Sequence, residues 1–505
     1  MLGPPEGQRN GFSKKGGHDP NIPANSIHFL NQGDNVPLTS HAQKRAASIA
    51  LAVIVTCQLM VVLDATVVNI ALVPIKHSLH FSSAGLSWVI DAYSLAFGGL
   101  LLLGGRAGDV FGRRRMLMIG LTIFTVASLF AGLATSATML LLMRGLQGVG
   151  AAMAAPSTLS LISATFEEGP ERNRALGIFT AVSAGGGSLG LILGGALTSW
   201  VSWRSVMFIN VPIGLVIILL APRFVPEPPR NGGRLDVAGA ALVTGGLATL
   251  IYGFIRIAEH GTTSITAASF VLSAALLVSF VRVERTRVQP LLPMRLVTDR
   301  LRGPAYFTMM LVPAVMYGVF FFTSQFLEGV KHFSAIETGL AFLPMTALIF
   351  TSSRITPKLV ARVGARPILL FGLVTIGVAT LWISRAAPSQ SYVESLFGPL
   401  ALFGIGAGSC FLPLSVTILS GVPRADAGAA SGMLQTMQQT GGALGVAVLT
   451  SIAAAHGTSD ALSVGAGIVV MAFLVAYVGV RPTRSNLAPT AREAAEEMIP
   501  LLLSE

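Results

Sequence analysis

Fourteen predominantly apolar runs of about 17–26 residues succeed one another along this chain. They lie at 47–72, 84–105, 116–134, 138–163, 175–199, 204–221, 236–257, 264–281, 304–327, 337–353, 367–384, 395–419, 429–455 and 461–480. Runs of this length cross a hydrocarbon core of about 30 Å as helices, and a chain built from them has little choice but an all-α polytopic membrane fold. A transmembrane barrel would instead show segments of about ten residues with alternating polarity. Composition agrees: 52% of the 505 residues are hydrophobic before the 55 Gly are counted, and only 11% are charged, against about 25% in soluble domains. That supply of charge excludes a soluble enzyme, a disordered chain and a disulfide scaffold.

The formal charge of +11 raises the question of nucleic acid, and the placement of the cations answers against it. With the N-terminus inside, 28 of the 34 Lys and Arg fall in cytoplasmic segments and five (Lys76, Arg204, Arg256, Lys331 and Arg385) fall in external loops or at the external ends of spans; Arg144 alone lies inside a span away from its ends. This asymmetry predicts both termini on the cytoplasmic side of the plasma membrane, with the basic loops facing anionic lipid. Residues 1–44, polar and rich in Gly, Pro and Asn, read as a disordered cytoplasmic tail without a cleaved secretory signal. Residues 481–505 form a second cytoplasmic tail. Cys57 and Cys410 both sit in apolar runs and read as packing residues. The eight His are scattered and no phosphate-binding Gly-x4-Gly-Lys-Ser/Thr loop occurs, so metal, cofactor and direct use of ATP are not expected.

The chain carries an internal echo. Gly177, Gly186 and Gly190 recur with the same spacing as Gly432, Gly441 and Gly445, 255 residues on. The segment Arg106 to Arg114 is echoed by Lys358 to Arg366, 252 residues on. Two related six-helix halves follow, at 45–222 and 304–480, with the pair at 236–281 inserted between them as a hairpin flanked by Pro-containing linkers.

Between the second and third spans lies Gly104-Gly-Arg-Ala-Gly-Asp-Val-Phe-Gly-Arg-Arg-Arg115, a loop whose glycines permit tight turns and whose single acid stands among four cations. Plain topogenic charge is one reading. At Gly105, Asp109, Gly112, Arg113 and Arg114 the segment closely resembles the loop signature of the major facilitator superfamily. The resemblance extends over nearly all of 45–480 and points to the fourteen-helix drug:proton antiporters of the QacA/EmrB type. It rests on Leu63-Asp-Ala-Thr-Val-Val-Asn69 in the first span, Arg144-Gly-Leu-Gln-Gly148 in the fourth, and Trp203-Arg-Ser-Val-Met-Phe-Ile-Asn210-Val-Pro-Ile-Gly214 at the sixth. The resemblance implies that the loop acts as an interdomain latch holding the cytoplasmic side closed. Gly177, Gly186, Gly190, Gly194 and Gly195 match the antiporter helix-packing motif, with Leu191 where the motif has proline. Because proline would bend the helix, a straighter fifth span is expected, and the antiport assignment is weakened at that point.

Asp64, well inside its span, is costly in lipid unless it has a task. Burial makes a carboxyl favour its neutral form, which suits a proton carrier; a packing acid bonded to a neighbouring helix is the other reading. Arg144 cannot shed its charge and must face protein or water. The resemblance gives Asp64 and Arg144 the proton-coupling role. Asp91, near the external end of its span, is a candidate for binding a cationic substrate, with Trp88 and Tyr93 as cation–π partners; snorkelling to water is its alternative. Asn69, Gln325, Gln435, Gln438 and Gln439 complete the candidate substrate-binding set, since amides in a membrane helix need a partner or a wet cavity. The function expected is secondary active efflux of lipophilic or cationic drugs in exchange for protons by alternating access. The partners would be a small-molecule substrate, protons and the bilayer, and the protein a monomer rather than an enzyme. The alternatives are a dedicated exporter of a single antibiotic or metabolite, and a membrane sensor that no longer transports.

Overall fold

The computed structural model describes residues 41–166, 170–228, 230, 235–287, 292, 294–420, 422 and 427–480. The two tails expected at 1–44 and 481–505 lie outside these, apart from 41–44. By contacts the chain divides into Met1–Lys44 and Arg45–Glu505, and the architecture below is that of the second unit.

Every apolar run is helical. The first group comprises α1 (His41–Leu79), α2 (Trp88–Phe111), α3 (Arg113–Gly132), α4 (Ala137–Thr165), α5 (Pro170–Trp200), α6 (Trp203–Phe208) and α7 (Asn210–Phe224). The inserted pair is α8 (Val237–His260) and α9 (Ser264–Thr286). After a short α10 (Met294–Thr298) the second group runs through α11 (Arg302–Gly329), α12 (Ala335–Ala341), α13 (Leu343–Val363), α14 (Ala365–Ile383), α15 (Gly398–Leu419), α16 (Ala427–His456) and α17 (Thr458–Gly479). Among the described residues twelve helical segments are long and apolar enough to cross a membrane. The Gly-rich α5 and α16, 31 and 30 residues long, stand beside them.

Local chemistry sets the ends. Ser136, Asp236 and Thr263 cap α4, α8 and α9 through side-chain oxygens that accept backbone N–H groups. Ser334 and Glu337 form a reciprocal capping box on α12. The run at 337–353 is interrupted at Phe342, and Pro344 enters the first turn of α13, where its missing N–H costs nothing. Gly112 ends α2 and starts α3 at φ 109°, and Gly364 does the same between α13 and α14 at φ 88°. A side chain is strained at such angles, and the shared conformation is the structural form of the echo at offset 252.

The other echo is a matter of packing. In α5, Gly186 lies against Leu59 and Val62 of α1, Gly190 against Thr66, and Gly194 against the backbone of Val67. In α16, Gly441 and Gly445 lie against the backbone of Met310 and Ala314 in α11. Both halves thus use small residues to bring one helix pair backbone to backbone. With Leu191 buried in place of proline, α5 continues unbroken.

Large apolar side chains stand outward, Leu142 at 62%, Leu219 at 68% and Val271 at 70% exposure, while Ser, Thr and Asn turn inward and bond carbonyls one turn back, as Thr66 does to Val62 and Asn69 to Ala65. This inversion suits a hydrocarbon surround. The halves meet along α2 and α16, where Thr436 donates to the carbonyl of Gly98 at 3.1 Å. They meet again where α5 reaches α12, and there the Ile336 N–H donates to Ser199 Oγ at 3.0 Å. The inserted α8 packs on α9 and also on both α2 and α16.

Candidate functional site: a buried charge cluster beside a central cavity

Asp64 projects from α1 and is 2% exposed. Three donors from two other helices converge on it. Arg144 of α4 donates to Oδ2 at 2.5 Å, while Gln147 of α4 and Asn210 of α7 donate to Oδ1 at 3.0 and 2.9 Å. Arg144 in turn donates from Nε to the carbonyl of Val89 at 2.9 Å and from its terminal nitrogen to Gln147 Oε1 at 3.0 Å. Its guanidinium lies 4.5 Å from the centre of the Tyr93 ring. Gln147 reaches on to Ser128 of α3 at 2.7 Å. A buried ion pair is tolerable only with such added bonds, since desolvation otherwise exceeds the Coulombic gain. Gly148, one residue beyond Gln147, has the Tyr93 carbonyl where a Cβ would stand. That close approach of α4 to α2 is what lets Arg144 reach Val89 and Tyr93.

Beside the cluster lies a cavity of about 570 Å³ between the two halves. From the first half it is lined by Gln58, Val62, Thr66, Asn69, Tyr93, Phe97, Arg144, Thr158 and Phe179; from the second by Met316, Tyr317, Phe320, Ser415, Gln435, Gln438 and Gln439. Tyr317 Oη donates to Gln439 Oε1 at 3.0 Å. Arg144 is the sole charged residue among the lining side chains, and Asp64 sits behind it. The wall is therefore aromatic and aliphatic with amides at intervals, a surface for a lipophilic molecule bearing hydrogen-bonding groups.

The cavity thus brings together Asn69, Tyr93, Gln435, Gln438 and Gln439, but not the rest of the candidate set. Asp91 does not line it and does not reach water: it is 0% exposed, and both carboxyl oxygens lack a hydrogen-bond partner. The reason is the cover that α8 and α16 lay over the end of α2. Trp88 packs there too, with Leu95, Ile251, Ile255 and Ala447. Gln325 donates to its own helix at the Phe321 carbonyl, at 3.5 Å. Nor is Tyr93 free to face a substrate cation, since Arg144 holds one face and Phe97 and Phe124 crowd the ring. Sequence reasoning gave no role to Asn210, Ser128 or Tyr317. For Ser128 and Tyr317 the signal was a polar group inside an apolar run; Asn210 stood in the motif at the sixth span without a role attached to it.

The loop around Gly105 and Gly112 places two of its arginines against α2, α4 and the end of α7. Arg113 pairs with Asp109 at 2.5 Å and reaches the Pro156 carbonyl. Arg114 donates to the carbonyls of Pro222 and Val225 at 3.2 and 3.0 Å and lies 3.8 Å from Glu227. Pro156 belongs to α4, while Pro222, Val225 and Glu227 lie at the end of α7 and just beyond it. At the opposite end the halves are shut. Gly195 faces the backbone of Ala335 and Ile336, and Gly339 faces the Leu191 carbonyl, whereas Gly177 at the loop end of α5 has open space beyond it. The described residues hold no group of three or more His, Cys, Asp or Glu placed to hold a metal ion.

A family model described as Major Facilitator Superfamily matches residues 54–446. The puromycin resistance protein pur8 of Streptomyces alboniger is 38% identical over 465 residues, covering 88% of this chain and 92% of its own. The cephamycin export protein CmcT of Amycolatopsis lactamdurans is 40% identical over 412 residues, covering 80% and 85%. Among solved structures, the nucleoside transporter NupG superposes with a TM-score of 0.59 at 14% identity, over 86% of this chain and all of the other.

Proposed function

This chain belongs to the Major Facilitator Superfamily, and from that premise we propose that it is a proton-coupled efflux transporter of lipophilic drugs, working by alternating access. The observation that carries this reading is the Asp64–Arg144 pair, buried in the first half with Arg144 on the wall of a cavity that both halves line. Relatives named for antibiotic resistance and export support the direction of transport. The reading includes the finer assignment to the fourteen-helix antiporters, with α5 and α16 completing the spans, two six-helix halves at 45–222 and 304–480, and both termini cytoplasmic. In that orientation the structure is inward-facing, closed where α5 meets α12.

The mechanism follows from donor counting. Asp64 as a carboxylate accepts three bonds and satisfies three donors. Protonation turns one accepting oxygen into a donor that faces another donor, and it removes the charge that holds Arg144. The contacts tying α1 to α4 and α7 then weaken together, and Arg144 is released towards the cavity. Freed from Asp64, the guanidinium presents an unneutralised positive charge to the cavity and repels a cationic substrate, so that drug and proton exclude each other, as antiport requires. Exchange of one proton for one monovalent cation is driven by the pH gradient alone, at about 1.4 kcal/mol per unit. A neutral substrate also draws on the membrane potential, about 2.3 kcal/mol per 100 mV. Collapsing the proton gradient in cells loaded with a lipophilic dye is the direct test. Efflux should stop, and efflux that persists overturns the coupling.

A dedicated exporter of one antibiotic is the second reading, favoured by relatives whose names each carry a single compound. A resistance screen across unrelated lipophilic compounds separates the two.

A further inference from the structure

A second cavity, about 550 Å³, lies away from the first, on the outer face of the bundle between α2, α3 and α4. Its wall is apolar, with Leu100 and Phe111 on α2, Ile119 on α3, Met153 on α4 and Leu235 at the foot of the inserted hairpin. Phe111 and Ile119 are 44% and 39% exposed, so the groove opens sideways, towards lipid. One charged residue, Arg115, stands in it. Of the three consecutive arginines that open α3, Arg113 is paired with Asp109, and Arg114 is bonded to the α7 terminus and Glu227. The backbone N–H of Arg115 donates to Glu227, but its exposed guanidinium has no bond partner among the described residues. Leu100 to Phe111 spans eleven helical steps, about 16 Å, which is the depth of one leaflet of a core about 30 Å thick. Arg115 marks the headgroup end of that length.

We propose that this groove is a binding site for one anionic glycerophospholipid, with an acyl chain along α2 and α3 and its phosphodiester on the Arg115 guanidinium. The match is in charge and in length: a single unpaired cation at the rim, then an uncharged trough one leaflet deep. A guanidinium pairs with phosphate through a two-pronged contact that a zwitterionic headgroup weakens with its own ammonium. The leaflet is the cytoplasmic one under the orientation proposed above. Lipid selectivity of the purified protein is independent of that orientation and of transport, so failure of the one reading leaves the other standing.

The test uses the full chain, purified in detergent and stripped of lipid, with thermal unfolding followed as lipid is titrated. Phosphatidylglycerol should stabilise at about fivefold lower concentration than phosphatidylcholine of the same chains, the effect of one basic residue near a membrane surface. Glycerol phosphate alone should do nothing, because the groove takes up the chain. Arg115→Gln should bring the two lipids level, Arg115→Lys should keep most of the preference, and Ile119→Trp should weaken both lipids by filling the trough. Equal action of the two lipids on the unmodified protein overturns the proposal, as does full stabilisation by glycerol phosphate. Displacement of bound phosphatidylglycerol by a transported drug would likewise overturn it, making the groove a substrate path.

Discussion

Replacing Asp64 with Asn removes one charge and almost no volume, which makes it a clean probe of the cluster. The carboxylate presents two accepting oxygens, Oδ2 to Arg144 and Oδ1 to Gln147 and Asn210. Asparagine offers one oxygen and one NH2. If its oxygen serves Gln147 and Asn210, the NH2 points at the guanidinium; the reverse orientation sets it against two amide donors. Either way a charge-assisted bond of about 1.5–3 kcal/mol is lost. A buried cation left without its partner costs about 3–5 kcal/mol. Arg144 keeps the Val89 carbonyl and Gln147 Oε1, so the lower end applies, about 3 kcal/mol. Asp64→Ala deletes both accepting oxygens and all three bonds to them, and belongs at the upper end, about 5 kcal/mol. Thermal unfolding in detergent should therefore rank wild type above Asp64→Asn, and Asp64→Ala last. In weakly buffered solution, adding a cationic substrate should release protons from the wild type and none from Asp64→Asn. An Asp64→Asn protein as stable as wild type that still releases protons on binding substrate would refute both the donor count and the coupling drawn from it.

Arg144→Lys keeps the charge but cannot serve Val89, Asp64 and Gln147 from one ammonium; drug binding measured on the purified protein should persist while proton-driven efflux from vesicles falls at least tenfold. Gly190→Val would push a side chain into Thr66 and should cost about 1–3 kcal/mol by overpacking, read as a lower yield of monodisperse protein. Cysteines at Ser199 and Ile336, where the halves touch through a 3.0 Å hydrogen bond, should cross-link readily and stop efflux until reduced; a cross-linked protein that still transports would contradict alternating access at that end.

The helices were legible because lipid demands long apolar runs, and each run in the sequence is a helix in the structure. The glycine echo was legible for the same kind of reason: a spacing that repeats at 186/190 and 441/445 implies a repeated close approach. The partners of charges were not legible. Asp64 and Arg144 are 80 positions apart, and Asn210 joins them from a helix whose packing no local pattern specifies. The height of Asp91 in its span was visible and its cover was not; α8 and α16 close over that end of α2. The phase of Gln325 was not legible either: eight residues beyond Tyr317 it lies about 80° round the helix, and it does not line the described cavity. The loop residues Asp109, Arg113 and Arg114 were recognisable as a set, but their partners at Pro156, Pro222 and Val225 were not, because those come from distant parts of the chain.

The inserted hairpin has a bearing on how far the two halves can swing. Its first helix touches α2 of one half and α16 of the other, and Ser273 of its second helix donates to the Gly246 carbonyl of the first at 2.8 Å, so the pair lies as a splint across the seam. A splint fixed to both moving parts must slide on at least one of them during each cycle. If the halves rock as proposed, the contacts of α8 with α2 and α16 set part of the resistance to that motion.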